Sequence, residues 1–144
     1  MLHIEMTQLL HAPHHKVFEA WVDYEALPRW WPSLFKRVTV TKREGNTVHL
    51  KTEMKVMGRT VEGTEKHLLM PPSKDRSEAI TGGTTARSTW RFEPVADGTK
   101  VIRTSDIQLR GVIAQLFGPL ARRQIRAINR QGLQRFERYV QAKG

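Results

Sequence analysis

Cysteine is absent from all 144 residues, which excludes disulfides, thiolate metal sites and cysteine nucleophiles together and says nothing about compartment. No apolar run approaches the roughly 20 residues needed to span a bilayer. The start, Met1-Leu2-His3-Ile4-Glu5, has no basic stretch followed by an apolar one, so no signal peptide is expected and a cytoplasmic location is the default. There is no Gly-rich phosphate loop, no G-x-S-x-G elbow and no Asp-x-Asp pattern. Thr81-Gly82-Gly83-Thr84 lies between strand-like runs instead of opening a helix, so it reads as a turn. Acid is scarce: 14 Asp and Glu against 24 Lys and Arg give a formal charge of +10. Such a charge attracts polyanions or acidic membranes at low salt, and screening over about 8 Å weakens the attraction at physiological salt.

What is present suits one ordinary globular domain, residues 1–144. With 39% hydrophobic and 26% charged residues, a chain of this length buries roughly 70% of its extended surface, enough for a core and a cavity. Leu2 to His11 is strand-like, and Ala12-Pro13 ends it with proline where a helix start tolerates it. Val17, Phe18, Trp21 and Val22 then fall at helical spacing. A second short helix around Glu25 to Arg29 is stopped by Trp30-Trp31-Pro32.

From Phe35 the period changes to two. Val38 and Val40 mark one strand; Val48, Leu50, Thr52, Met54 and Val56 alternate with charged residues in the next; Arg59 to Leu69 follows, broken by Pro71-Pro72. Shorter strands are expected at Arg76 to Thr81, Ala86 to Glu93 and Thr99 to Leu109, with Ala96-Asp97-Gly98 as the last hairpin turn. The chain closes with a long helix from Pro119 to Ala142, whose apolar stripe is Ala121, Ile125, Ile128, Gly132, Phe136 and Val140. A lone amphipathic helix after antiparallel strands must lay its stripe on the concave face of their sheet, and that grip leaves room for a hollow.

Alternation also sorts polar groups between water and the helix. In Arg59 to Leu69 the even positions Thr60, Glu62, Thr64 and Lys66 are polar, so Glu65 and His67 face inward. The same test points Arg103 and Ser105 inward from one strand, and Ser88, Trp90 and Phe92 from another. A charge in a dry interior costs several kcal/mol, so Glu65, His67 and Arg103 must pair with one another, meet water, or meet a polar ligand. A bulge that flips one strand's register is the alternative, as is a structural Glu65–Arg103 pair. Tyr24 and Trp31 sit where the short helices meet the sheet and close one end of the hollow; Met54 and Phe117 add apolar wall.

Two clusters read differently. His11, His14 and His15 straddle the break at Pro13 with no carboxylate at ligand spacing, so no metal is expected. Arg122, Arg123, Arg126 and Arg130 form a basic face on the final helix, with Glu137 the only acid after Pro119. This face is either merely solvated or suited to an anionic membrane or RNA, although no aromatic residues are interleaved on it.

Taken together, the Ala12-Pro13 break before Val17-Phe18-Glu19-Ala20-Trp21, the stretch Leu27-Pro28-Arg29-Trp30-Trp31-Pro32, the strand Trp90-Arg91-Phe92-Glu93-Pro94 with Asp97-Gly98-Thr99, and the closing helix resemble the START-like superfamily of helix-grip proteins. More narrowly, the chain is similar to the polyketide cyclase/dehydrase-like (SRPBCC) group. The resemblance implies an α+β fold: a seven-stranded antiparallel sheet around a long C-terminal helix, two short helices after the first strand, and a small hydrophobic molecule held between sheet and helix. Members of this superfamily bind lipids, polyketides, quinones or plant hormones. Some catalyse aldol cyclisation and dehydration without a cofactor. In the aromatase/cyclases the tryptophan of a Trp-Pro-x-Leu-Phe motif lines the pocket, and Trp31-Pro32-Ser33-Leu34-Phe35 matches it. Those enzymes also place an arginine and tyrosine or serine hydroxyls in the cavity, for which Arg103, Tyr24 and Ser105 are available. In an enzyme, Arg103 would steady an enolate oxygen and His67 or Glu65 would move the proton. The remaining possibility is an interaction protein that docks through its basic helix. Monomer and homodimer are both compatible with the sequence.

Overall fold

The computed structural model describes residues 1–143. Its strands are β1 Leu2–Leu10, β2 Phe35–Glu44, β3 Thr47–Val56, β4 Arg59–Met70, β5 Lys74–Thr81, β6 Thr84–Val95 and β7 Gly98–Gln108; its helices are α1 His14–Trp21, α2 Leu27–Trp30, α3 Gly111–Phe117 and α4 Ala121–Ala142. The strands form one antiparallel sheet in the order β1-β7-β6-β5-β4-β3-β2. Hairpins join β2 through β7 in sequence, while α1, a 3₁₀ turn at Tyr24–Ala26 and α2 carry the chain from β1 at one edge to β2 at the other. This is the expected helix-grip arrangement.

Chain chemistry accounts for the turns. Gly82 and Gly83 both take positive φ, 52° and 87°, in the two-residue link between β5 and β6 that the sequence marks as a turn. Gly98, at φ 148°, closes the β6–β7 hairpin so near β1 that a Cβ there would collide with the carbonyl oxygen of Leu10. No larger residue fits that approach.

The last helix differs from expectation at its start. Pro119 lies in a 3₁₀ turn, Gly118–Leu120, and α4 begins at Ala121. Ahead of it stands a helix the periodicity does not announce, α3, whose Ile113 and Phe117 are buried. Side chains of α4 fasten it to the backbone of β1 and the residue after it, one at each end of the strand. Arg122 Nη1 donates to the His3 carbonyl; Glu137 accepts from the His11 N–H, and Gln141 Nε2 donates to the His11 carbonyl.

The interior beneath α4 has two unlike halves. Under its C-terminal half Gly132, Leu133, Phe136 and Val140 are buried against aromatic rings: Phe136 lies 5.5 Å from Trp21 and 4.8 Å from Trp30 between centroids. Under its N-terminal half Ile125 and Ile128 are only half-buried, because they face a space. No helix among the described residues is long and apolar enough to cross a membrane.

Candidate functional site

That space is a cavity of about 210 Å³, larger than the roughly 150 Å³ that accommodates a benzene in a protein core. Its helical wall is Ile125, Ile128 and Asn129 of α4 with Ile113 and Phe117 of α3. Its sheet wall includes Met54, Ala79, Ala86, Ser88, Trp90 and Ile107, and Trp21, Tyr24 and Leu27 close one end. Strand alternation supplies the polar members as the sequence requires: Glu65 and His67 from β4 and Arg103 from β7 all line it.

At the closed end a fully buried carboxylate, Asp75, gathers donors from three elements. Trp21 Nε1–H and Tyr24 O–H both donate to its Oδ2 at 2.9 Å, and His67 Nδ1–H donates to Oδ1 at 2.9 Å. The other ring nitrogen of His67, Nε2, donates to Glu65 Oε1 at 2.7 Å. A neutral imidazole has only one N–H, so carboxylates at both nitrogens select the doubly protonated ring. Burial opposes that charge, yet the hydrogen bonds to Asp75 and Glu65 outweigh it, and the His67 pKa is pushed up to about 9. For Tyr24, burial first and then the Asp75 carboxylate hold the phenol well above its ordinary range, so it stays protonated and donates to Asp75.

Arg103 is the other cation. Its guanidinium lies 4.8 Å from the centre of the Trp90 ring, its cross-strand neighbour, and its one hydrogen bond is a long one of 3.4 Å from Nη2 to Ser88 Oγ. Burial lowers its pKa to about 10, an effect the more distant Glu65 only partly offsets. The expected alternative of a structural Glu65–Arg103 pair is not formed, because the two are further apart than 4.0 Å and Glu65 is held by His67.

Three expected cavity residues lie elsewhere. Trp31 packs in the solid half, its ring against Gly132 and stacked 5.6 Å from Trp30. Phe92 is wholly enclosed, edge-on to Phe18 at 5.6 Å and beside Trp21. Ser105 spends its hydroxyl on its cross-strand neighbour Ser88, Oγ to Oγ at 2.8 Å, and does not line the space. Trp21 is instead a wall residue. Asp75 goes unnoticed in the sequence because it sits one residue before the expected start of its strand, although Asp75, Ser77, Ala79 and Thr81 do alternate with Arg76, Glu78 and Ile80.

Outside the cavity, His14 Nε2 lies 2.8 Å from the Phe92 carbonyl, which ties α1 to β6, while His11 and His15 are exposed. On α4, Arg122, Arg123 and Arg130 are exposed and Arg126 half-buried. Arg122 is engaged with β1, and no carboxylate lies within 4.0 Å of Arg123, Arg126 or Arg130 among the described residues.

The family model for polyketide cyclase/dehydrase and lipid transport matches residues 1–141. Among solved structures, the protein TTHA0849 from Thermus thermophilus is 21% identical with a TM-score of 0.86 over 99% of each chain. The Zhui aromatase/cyclase from Streptomyces sp. R1128 is 16% identical with a TM-score of 0.75, covering 99% of this chain and 92% of its own. A START superfamily protein from Mycobacterium smegmatis is 13% identical with a TM-score of 0.75 over 99% of both. At these identities the likeness is one of fold. No curated protein matches the sequence.

Proposed function

Because the chain belongs to the polyketide cyclase/dehydrase and lipid transport family, we propose that it binds a small, largely apolar molecule in the cavity between sheet and α4. The hollow itself carries this reading. About 210 Å³ bordered mostly by apolar side chains forgoes the close packing that protein interiors otherwise reach. A sequence that fills the other half of the same interface with Trp30, Trp31 and Phe136 could have filled this half too.

Binding is favoured over turnover by the state of the proton carriers. An aldol cyclisation needs a base with a free lone pair at the substrate. His67 has both nitrogens committed as donors, and Glu65 already accepts from that imidazolium, which weakens it as a base.

The test is a ¹H–¹⁵N NMR titration with uncharged 2-methylnaphthalene, beside native mass spectrometry of the protein as purified. Saturable shifts confined to cavity residues are expected. They should vanish in Ala86→Phe, which fills the space from β6, and should hold within about twofold from low to high salt, since no charge enters. Shifts scattered over α4, or an affinity that falls steeply with salt, would move the binding to the exposed arginines and end the proposal.

A further inference from the structure

We infer that the guest of this cavity carries a carboxylate, seated on the terminal nitrogens of Arg103 above the Trp90 ring; the natural ligand class is a small cyclic monocarboxylic acid. This rests on the cavity-binding reading above.

The charged groups in and behind the wall are unevenly occupied. Asp75 has three donors, His67 two carboxylates, and Glu65 the imidazolium. Each of these charges is answered from within the protein. Arg103 is not. It can offer five N–H donors and uses one, at 3.4 Å, and no carboxylate lies within 4.0 Å of it among the described residues. Its Nε is sealed from solvent without a partner. Three other buried atoms lack partners, Trp30 Nε1, Trp31 Nε1 and Thr52 Oγ1, and none of those residues lines the cavity. The donors of the wall that a guest could still use are therefore those of the Arg103 terminal nitrogens, whose one hydrogen bond is the long one to Ser88, and what they lack is an acceptor.

Since Nε is closed off, the terminal nitrogens are what a guest can reach. Two parallel N–H groups at fixed spacing match the two oxygens of a carboxylate, which a single carbonyl oxygen cannot satisfy. Trp90 covers one side of the guanidinium at 4.8 Å, so an anion must approach from another. The rest of the wall sets the remainder of the guest. Trp21, Tyr24, Phe35 and Phe117 with Ile125 and Ile128 are aromatic and aliphatic, and 210 Å³ has room for one or two rings with a short substituent. The protein's charge of +10 would also raise the local concentration of an anion at low salt.

Isothermal titration of the full chain at neutral pH with 2-naphthoate and its neutral isostere 2-naphthamide tests this. The acid should bind about 10- to 100-fold more tightly, and the ratio should collapse toward one in Arg103→Met. Equal affinity for acid and amide in the wild type, or an acid preference that survives Arg103→Met, overturns the inference. Should that variant not fold, titration of the wild type near pH 5.5 in two buffers of different ionisation enthalpy decides. Uptake close to zero protons is expected, whereas uptake approaching one proton per guest means the carboxyl enters neutral, without a cationic seat. If 2-methylnaphthalene binds while acid and amide do not differ, this inference alone fails. If none of the three binds, the cavity reading fails and takes the inference with it.

Discussion

Replacing Gly132 by alanine should destabilise this protein, although glycine in mid-helix is ordinarily the weaker choice by about 1 kcal/mol. Gly132 lies in the buried face of α4, and a Cβ there would stand 2.4 to 2.6 Å from three ring carbons of Trp31. Carbon atoms in contact prefer about 3.5–4.0 Å, so ring and helix must part by about 1 Å. The ring has nowhere to go. Its face is stacked on Trp30 at 5.6 Å and 19°, its edge meets Phe35 at 5.5 Å, and the residue is 6% exposed. Forced repacking of a filled core costs about 1–3 kcal/mol; with three rings locked together we take the upper end, leaving a net loss of about 2 kcal/mol after the helix-propensity gain. At about 3–4 °C per kcal/mol for a chain of this size, Tm should fall by about 6–8 °C by calorimetry. Trp31→Phe should relieve the clash, so a double-mutant cycle should show the two substitutions coupled by about 1–3 kcal/mol. A Gly132→Ala protein as stable as wild type, or more so, would refute the close approach and with it the division of the interior into solid and hollow halves.

Two further predictions concern the network at Asp75. The folded-state pKa of His67 is about 9, raised from about 6.5 in an unfolded chain, so its contribution to stability is complete below pH 6.5 and is lost as pH rises from there through 9. One proton gives a slope of at most about 1.4 kcal/mol per pH unit; urea denaturation across that window should show it in wild type, and His67→Gln should remove it, while a wild-type profile as flat as the variant's would contradict the doubly protonated ring. Tyr24→Phe removes one of the three donors to a buried carboxylate and should cost about 1.5–3 kcal/mol with an unchanged denaturant slope; a loss below about 0.5 kcal/mol would mean that water replaces the hydroxyl and the cavity end is open.

How much of this could be read from sequence depended on whether a strand has one wet face. Strand β4 does, with Thr60, Glu62, Thr64 and Lys66 all exposed, so the inward direction of Glu65 and His67 followed from alternation alone. Strand β5 inverts the signal: its inner face is Asp75, Ser77, Ala79 and Thr81, and its outer face carries the exposed Ile80. Hydrophobicity therefore pointed the wrong way at the residue that organises the network. Helix α3 is seven residues with no side-chain cap and a glycine at each end, too short for periodicity to separate it from a loop. The place of Trp31 could not be deduced at all. It depends on an approach to a glycine about a hundred residues away, and nothing local distinguishes a tryptophan against a helix from one beside a cavity.

The two cations of the cavity wall should respond oppositely to removal, and that contrast separates a charge kept for the fold from one kept for a guest. His67 is bound at both nitrogens, so its loss leaves Asp75 and Glu65 without their shared counterion, and breaking such a buried pair costs about 3–5 kcal/mol. Arg103 bears its charge largely alone. Burial lowers its pKa from 12.5 to about 10, which at neutral pH corresponds to a penalty on the order of 3 kcal/mol for keeping it charged in the folded state. Against this stand one long hydrogen bond and the contact with Trp90, together worth about 1–2 kcal/mol. Arg103→Met, which keeps an apolar stem and drops the charge, should therefore be at least as stable as wild type in the absence of ligand, while losing the preference for an acid. Stability gained at the expense of binding is the ordinary mark of a functional group. If ligand-free Arg103→Met is instead destabilised as much as His67→Gln, Arg103 is held by the fold, and the case for an anionic guest falls.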